Sequence, residues 1–267
     1  MKIHHLNCGT MHPPATPGGL VCHVLLVETG NGLALVDSGL GLRDAETPAS
    51  RFGPARHYVR PVFDPAEAAI NRVRELGYDP RDVRHIVLTH FDADHVGGLA
   101  DFPWAQVHLT GAEASAARRP RTFAERARYL PASRAHGPRL VEYEPAAGES
   151  WRGFPRAAEL TGIAAGIVLI SLPGHSRGHA AVAVDAGERW ILHAGDAFDH
   201  HGQLDGTGCA PRALTAMERL VASDWSLVEA NHARLKEIWA AADPDLLLVN
   251  AHDPYLFSAA SESGVRR

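Results

Sequence analysis

Residues 89–98 read Thr-His-Phe-Asp-Ala-Asp-His-Val-Gly-Gly. His90, Asp92, Asp94 and His95 thus place four potential metal ligands within six residues. Imidazole and carboxylate are the borderline and hard donors that suit zinc, iron or manganese. Any one of them alone is an ordinary loop residue, and Asp94 would serve as a helix cap. Together they point to a metal centre. Three other segments carry the same residue types: Leu-Pro-Gly-His175-Ser-Arg-Gly-His179, His193-Ala-Gly-Asp196-Ala, and Val-Asn-Ala-His252-Asp253-Pro.

These side chains need rigid elements to aim them. The apolar run 85–89 is short and unbroken, the pattern of a strand buried on both faces, and His90 follows it directly. Strands are expected near 167–172, 180–185, 189–194 and 245–250, so His175, Asp196 and His252 also sit at or just past strand ends. A hairpin over 23–29 and 33–38 is signalled by the turn Gly30-Asn31-Gly32, and its second strand ends in Val36-Asp37-Ser38-Gly39. Pro65 opens a helical pattern (Ala69, Ile70, Val73, Leu76) that Gly77 stops. A strand over 106–110, a helix over 111–130 broken near Pro120, and helices near 212–222 and 226–242 complete the pattern. Residues 40–64, with three prolines, read as an irregular surface excursion. With no composition shift between its similar halves, the chain reads as one α/β domain over 1–267.

Composition excludes several classes. Twenty-six basic residues against 31 acidic ones give a net charge of −5, unlike the basic excess of a nucleic-acid or anionic-membrane binder. Cys8, Cys22 and Cys209 form no CxxC pair or disulfide framework, and the start of the chain has no apolar signal segment. The longest nearly apolar stretch, 163–172, is about half a membrane span. A soluble, cytoplasmic protein is expected.

The ordered motifs HxDxDH, PGHSxGH, GDA and a terminal AHD resemble the metallo-β-lactamase superfamily of metallohydrolases, from the strand ending at Asp37 to His252. The resemblance implies an αββα sandwich, two mixed β-sheets flanked by helices, with a two-metal site at the sheet edges. By that resemblance His90, Asp92 and His175 hold one divalent ion, and Asp94, His95 and His252 hold the second. Asp196 bridges the two, and Asp37 supports the ligands without binding metal. The expected chemistry is hydrolysis of an ester-type bond by a metal-held hydroxide, with Asp94 orienting it and moving a proton to the leaving group. Asp92 stands where the family usually has histidine. The extra carboxylate is expected to make the metals poorer Lewis acids, so iron or manganese joins zinc as a candidate.

Within the superfamily the layout is most similar to the N-acyl homoserine lactone lactonases, through Leu76-Gly-Tyr-Asp-Pro80, the PGHSxGH turn and the closing His-Asp pair. Those enzymes place a tyrosine where this chain has Asp199. A small-molecule lactone or related ester is the expected substrate. A di-iron redox enzyme and a non-catalytic ligand-binding relative are the rival readings. His179 is read as a partner orienting a ligand or as a core residue, and His200 and His201 as a solvated loop. The basic run Arg118, Arg119, Arg121, Arg126 and Arg128 is read as a solvated helix face. Gly97-Gly98 is expected to let the helix start approach the metals.

Overall fold

Val24 and Leu26 join one apolar cluster while their neighbours Leu25 and Val27 join another. The same split separates Ile86 and Leu88 from Val87, and Val182 and Val184 from Ala181 and Ala183. Side chains of a strand alternate between faces, so each of these strands is buried on both sides. In this computed structural model, which describes residues 1–145 and 147–265, two six-stranded sheets face each other with helices outside. Ala146, Arg266 and Arg267 of the expected domain lie outside the described residues.

The first sheet runs in the order β1 (Lys2–Met11), β2 (Leu20–Thr29), β3 (Gly32–Val36), β4 (Val83–Val87), β5 (Gln106–Thr110) and β6 (Arg139–Tyr143). The second runs from β12 (Leu246–Val249) through β11 (Trp190–His193), β10 (Ala180–Asp185), β9 (Ile167–Ser171) and β8 (Phe154–Glu159) to β7 (Ala147–Trp151). Strands β3 and β4 are parallel, as are β11 and β12, and β9 and β11 both run antiparallel to β10. In each sheet the strands that carry candidate ligands therefore finish at the same edge. The face between the sheets is filled by Leu25, Val36, Val87, Leu169, Val182 and Val249.

The Gly30-Asn31-Gly32 hairpin and the break between helices Gly111–Arg118 and Phe123–Arg128 form as expected. The helix that Gly77 stops spans Ala69–Glu75, and Pro65 opens a separate short 3-10 turn, Pro65–Glu67, because the extended Ala68 (ψ 134°) divides the two. Residues 42–59 form short helical turns rather than irregular chain. Strand β1 was not anticipated, because this edge strand mixes polar and apolar positions and carries His4 and His5 where a core strand would carry apolar residues.

Several histidines outside the ligand set act as buried polar connectors. His5 and His23 share a hydrogen bond (Nδ1 to Nε2, 2.8 Å), and His193 Nε2 donates to the His23 carbonyl at 2.8 Å. His108 bridges His85 and the Tyr143 hydroxyl, both at 3.0 Å. Burial, then the neighbouring His85, pushes the His108 pKa down to about 4. The folded form resists a proton that the unfolded chain accepts near 6.5, so this contribution to stability is full above about 6.5 and is lost as pH falls toward 4. Chemical denaturation of protein stripped of metal should show H108Q losing up to about 1.4 kcal/mol per pH unit of the slope in that window. An identical slope in wild type and variant would contradict the assignment.

Candidate metal centre

Asp37 closes β3 in a left-handed backbone conformation, φ 60°, and its carboxylate is buried. Oδ1 accepts the Thr89 N–H at 2.8 Å, and Oδ2 accepts the Thr89 hydroxyl at 2.8 Å. The same Oδ2 lies 2.8 Å from His95 Nδ1. Asp37 thereby ties the ends of β3 and β4 together and leaves His95 Nε2 as the free nitrogen. Burial raises the Asp37 pKa, but the adjacent His95 outweighs it and holds the carboxyl below its ordinary range.

The seven candidate ligands converge in two groups that meet at Asp196. On one side, His175 Nε2 lies 3.1 Å and His90 Nε2 3.4 Å from Asp92 Oδ2, and the same nitrogens lie 3.5 and 3.6 Å from Asp196 Oδ2. On the other, His95 and His252 Nε2 lie 3.3 and 3.2 Å from Asp196 Oδ1, and Asp94 Oδ2 lies 3.5 Å from His252 Nε2. A tetrahedral cation with donors at roughly 2.0–2.2 Å spaces neighbouring donors about 3.3–3.6 Å apart. The two sets lie within about 0.4 Å of that spacing, Asp94 Oδ2 to His95 Nε2 at 4.0 Å being the widest pair, and each faces one oxygen of Asp196. His90 Nε2 and Asp196 Oδ1 are buried without a hydrogen-bond partner, a costly state unless a ligand satisfies them. The donor set therefore fits two divalent ions.

The electrostatics agree. Burial disfavours charge on His252, but Asp196 and then Asp94 outweigh it and hold the imidazole at about 9. Asp196 is itself held well below the usual carboxylate range: burial opposes ionisation, and the four surrounding histidines, His252 first, outweigh it. Carboxylates and imidazoles in such mutual contact exchange protons for a cation when one binds.

Supporting residues fix the ligand loops. Glu113, fully buried, accepts the Phe91 N–H (2.9 Å) and Tyr129 hydroxyl (3.0 Å) on one oxygen, and the Ser176 hydroxyl (2.7 Å) and Gly178 N–H (2.9 Å) on the other. It clamps the His90 loop to the His175 loop. His179 orients the backbone of Asp196: its Nδ1 donates to the Leu172 carbonyl at 3.0 Å and its Nε2 accepts the Asp196 N–H at 3.0 Å. Gly195 lies between them at φ 56°, where a Cβ would stand 2.6 Å from His179 Nε2.

The family description "Metallo-beta-lactamase superfamily" fits residues 17–231. The chain belongs to the metallo-β-lactamase superfamily. A Mycobacterium tuberculosis protein named probable metallo-hydrolase Rv2300c is 52% identical over 263 residues, spanning 98% of this chain and 84% of the relative. The N-acyl homoserine lactonase AttM of Agrobacterium fabrum is 30% identical over 127 residues, 46% of each chain. A solved N-acyl homoserine lactone hydrolase, with N-hexanoyl-L-homoserine at its catalytic metal centre, shares the fold with TM-score 0.65 and 22% identity, over 97% of this chain and 95% of that one. The family, the metallo-hydrolase relative and the donor group agree on a superfamily hydrolase.

Three sequence expectations about the surroundings change. Gly97 and Gly98 pack against the loop after β3, not the ligands: a Cβ on Gly97 would stand 2.0 Å from Asp44 Oδ2, and one on Gly98 2.6 Å from the Ser38 carbonyl. His201 is tied to the residue after His252, its Nδ1 lying 2.6 Å from Asp253 Oδ2, so it is not merely solvated. Arg128 leaves the solvated face of the basic run and reaches Asp92, its Nε 3.1 Å from Oδ1. Asp199 is buried, and burial, then Glu218 and Asp196, pushes its carboxyl well above the usual range.

Proposed function

We propose that the protein is a metal-dependent hydrolase that opens an ester-type bond in a small molecule, with an N-acyl homoserine lactone or related lactone as its substrate class. The observation that carries this reading is the division of Asp196, one oxygen toward His90 and His175 and the other toward His95 and His252. His90, Asp92 and His175 would hold one divalent cation, Asp94, His95 and His252 the other, and Asp196 both. When bound, such a pair supplies Lewis acidity and activates water at neutral pH. Zinc is the cation the reading favours, since four imidazoles make a borderline donor set.

The chain's own contribution is orientation and proton handling. Asp94 keeps 17% of its side chain exposed, against 7% for Asp196 and none for His90. It is therefore the ligand-group carboxylate on the second side that incoming substrate can meet. Its role is to hold a proton and deliver it to the alkoxide oxygen as the acyl–oxygen bond breaks. Asp37, Glu113 and His179 keep the ligands in place through that step. The lactone class is supported by the likeness to AttM over part of the chain. A cytoplasmic setting is supported by the free thiols of Cys8, Cys22 and Cys209. Among the described residues no helix is long and apolar enough to cross a membrane.

A panel of N-acyl homoserine lactones, simple lactones, aryl esters, thioesters, β-lactams and phosphodiesters, run with zinc, manganese and iron, tests the reading. Chelator-sensitive turnover of lactones is the expected result. Full metal loading with no turnover of any ester or lactone would sink it.

A further inference from the structure

Arg128 ends the helix Phe123–Arg128 and is the one member of its basic run that reaches the ligand group. Only 13% of its side chain is exposed. Its three nitrogens are all engaged: Nε pairs with Asp92 Oδ1 across 3.1 Å as an ion pair without a hydrogen bond, Nη1 donates to the His175 carbonyl at 2.7 Å, and Nη2 donates to the Val221 carbonyl at 2.8 Å and lies 3.5 Å from His175 Nε2. Arg118, by contrast, pairs with Glu142 at the surface, where both side chains are well exposed.

Asp92 divides its oxygens in the same way. Oδ2 faces His175 and His90, at 3.1 and 3.4 Å, while Oδ1 faces the guanidinium. A buried guanidinium beside a site for cations is a large electrostatic liability unless a nearby carboxylate offsets it. A residue needed only to hold two carbonyls would not require a charge there at all.

We propose that Asp92 and Arg128 act as one unit, in which Arg128 fixes Asp92 as a one-oxygen donor and cancels its charge. The unit rests on the metal-binding reading above and adds a positioning residue to it. Asp92, Asp94 and Asp196 with Arg128 then present two net negative charges to the cations instead of three. The bias toward harder ions that Asp92 alone suggests is removed, and zinc remains suited to the site.

A double-mutant cycle tests the unit. Wild type, R128M, D92H and D92H/R128M are dialysed against dilute chelator and then titrated with zinc, and the metal-stripped forms are unfolded in denaturant. R128M should weaken zinc at one of two sites by roughly 10–100-fold, the usual effect of losing a ligand's supporting partner. D92H should also weaken it, because the neutral imidazole leaves Arg128 uncompensated. Removing the arginine as well should restore at least tenfold of the D92H loss. R128K, which keeps the charge, should fall between wild type and R128M. If the losses in D92H and R128M simply multiply in the double variant, Arg128 only holds backbone carbonyls and the unit is wrong. Wild type that binds two zinc ions alongside additive variants overturns this inference alone. Wild type that binds no divalent cation overturns the metal reading and this inference with it. Should D92H not fold, D92N and D92N/R128M make the same comparison, since asparagine removes the same charge.

Discussion

Asp196→Ala is expected to lower kcat/KM for any metal-dependent substrate by roughly a thousandfold or more, equivalent to about 4 kcal/mol of transition-state stabilisation. No other candidate ligand serves both halves of the site: its Oδ1 lies 3.2–3.3 Å from His252 and His95, and its Oδ2 3.5–3.6 Å from His175 and His90. Removing it takes an oxygen donor from each half and the one negative charge that the two halves share. Elemental analysis should find the alanine variant unable to retain two equivalents of metal through dialysis. Asp196→Asn sharpens the test, because an amide offers one acceptor oxygen and an N–H₂ that cannot ligate a cation. It should retain one equivalent, with activity as low as the alanine variant. Two retained equivalents in either variant would contradict the bridging role.

Asp94→Asn is expected to lower kcat roughly 10²–10⁴-fold, the usual contribution of a positioned acid–base group. Its carboxylate is the loosest member of its set, 3.5 Å from His252 and 4.0 Å from His95, and among the most exposed of the ligand carboxylates. The size of the loss should depend on the leaving group. An alkyl lactone needs a proton on its departing oxygen, whereas an aryl ester releases a stabilised phenolate. Steady-state kinetics on both should show the larger loss for the lactone. Equal losses on both substrates would assign Asp94 to metal binding alone.

The candidate ligands could be singled out in the sequence because their chemistry and their position agree. His90, His175, Asp196 and His252 each follow a predicted strand, and the parallel relation of β3 to β4 and of β11 to β12 brings those ends to one edge. Of the supporting residues, Asp37 and His179 could be singled out in the sequence, whereas Glu113 and Arg128 could not. Glu113 sits in the first turn of a helix capped by Thr110, a pattern that reads as local capping. Its long-range partners Phe91, Ser176 and Gly178 become neighbours only when the sheets meet. Arg128 is one of five arginines of identical type, and only the helix end and the approach of the His175 loop single it out. The edge strands β1 and β6 evade pattern reading for another reason. Strand β6 has no fully buried position, and β1 fills much of its length with half-exposed polar residues, so neither shows the apolar run of a central strand. Most of the 17 histidines lie outside the ligand set, and several of those serve as buried hydrogen-bond connectors instead.

Two divalent ions in this donor group underlie every step proposed above. Metal content per chain, measured by elemental analysis on protein purified without added metal and again after zinc loading and gel filtration, tests this most directly. Two equivalents are expected after loading, both lost to a chelator together with activity. A saturating content of one equivalent, or none, would contradict the two-metal reading.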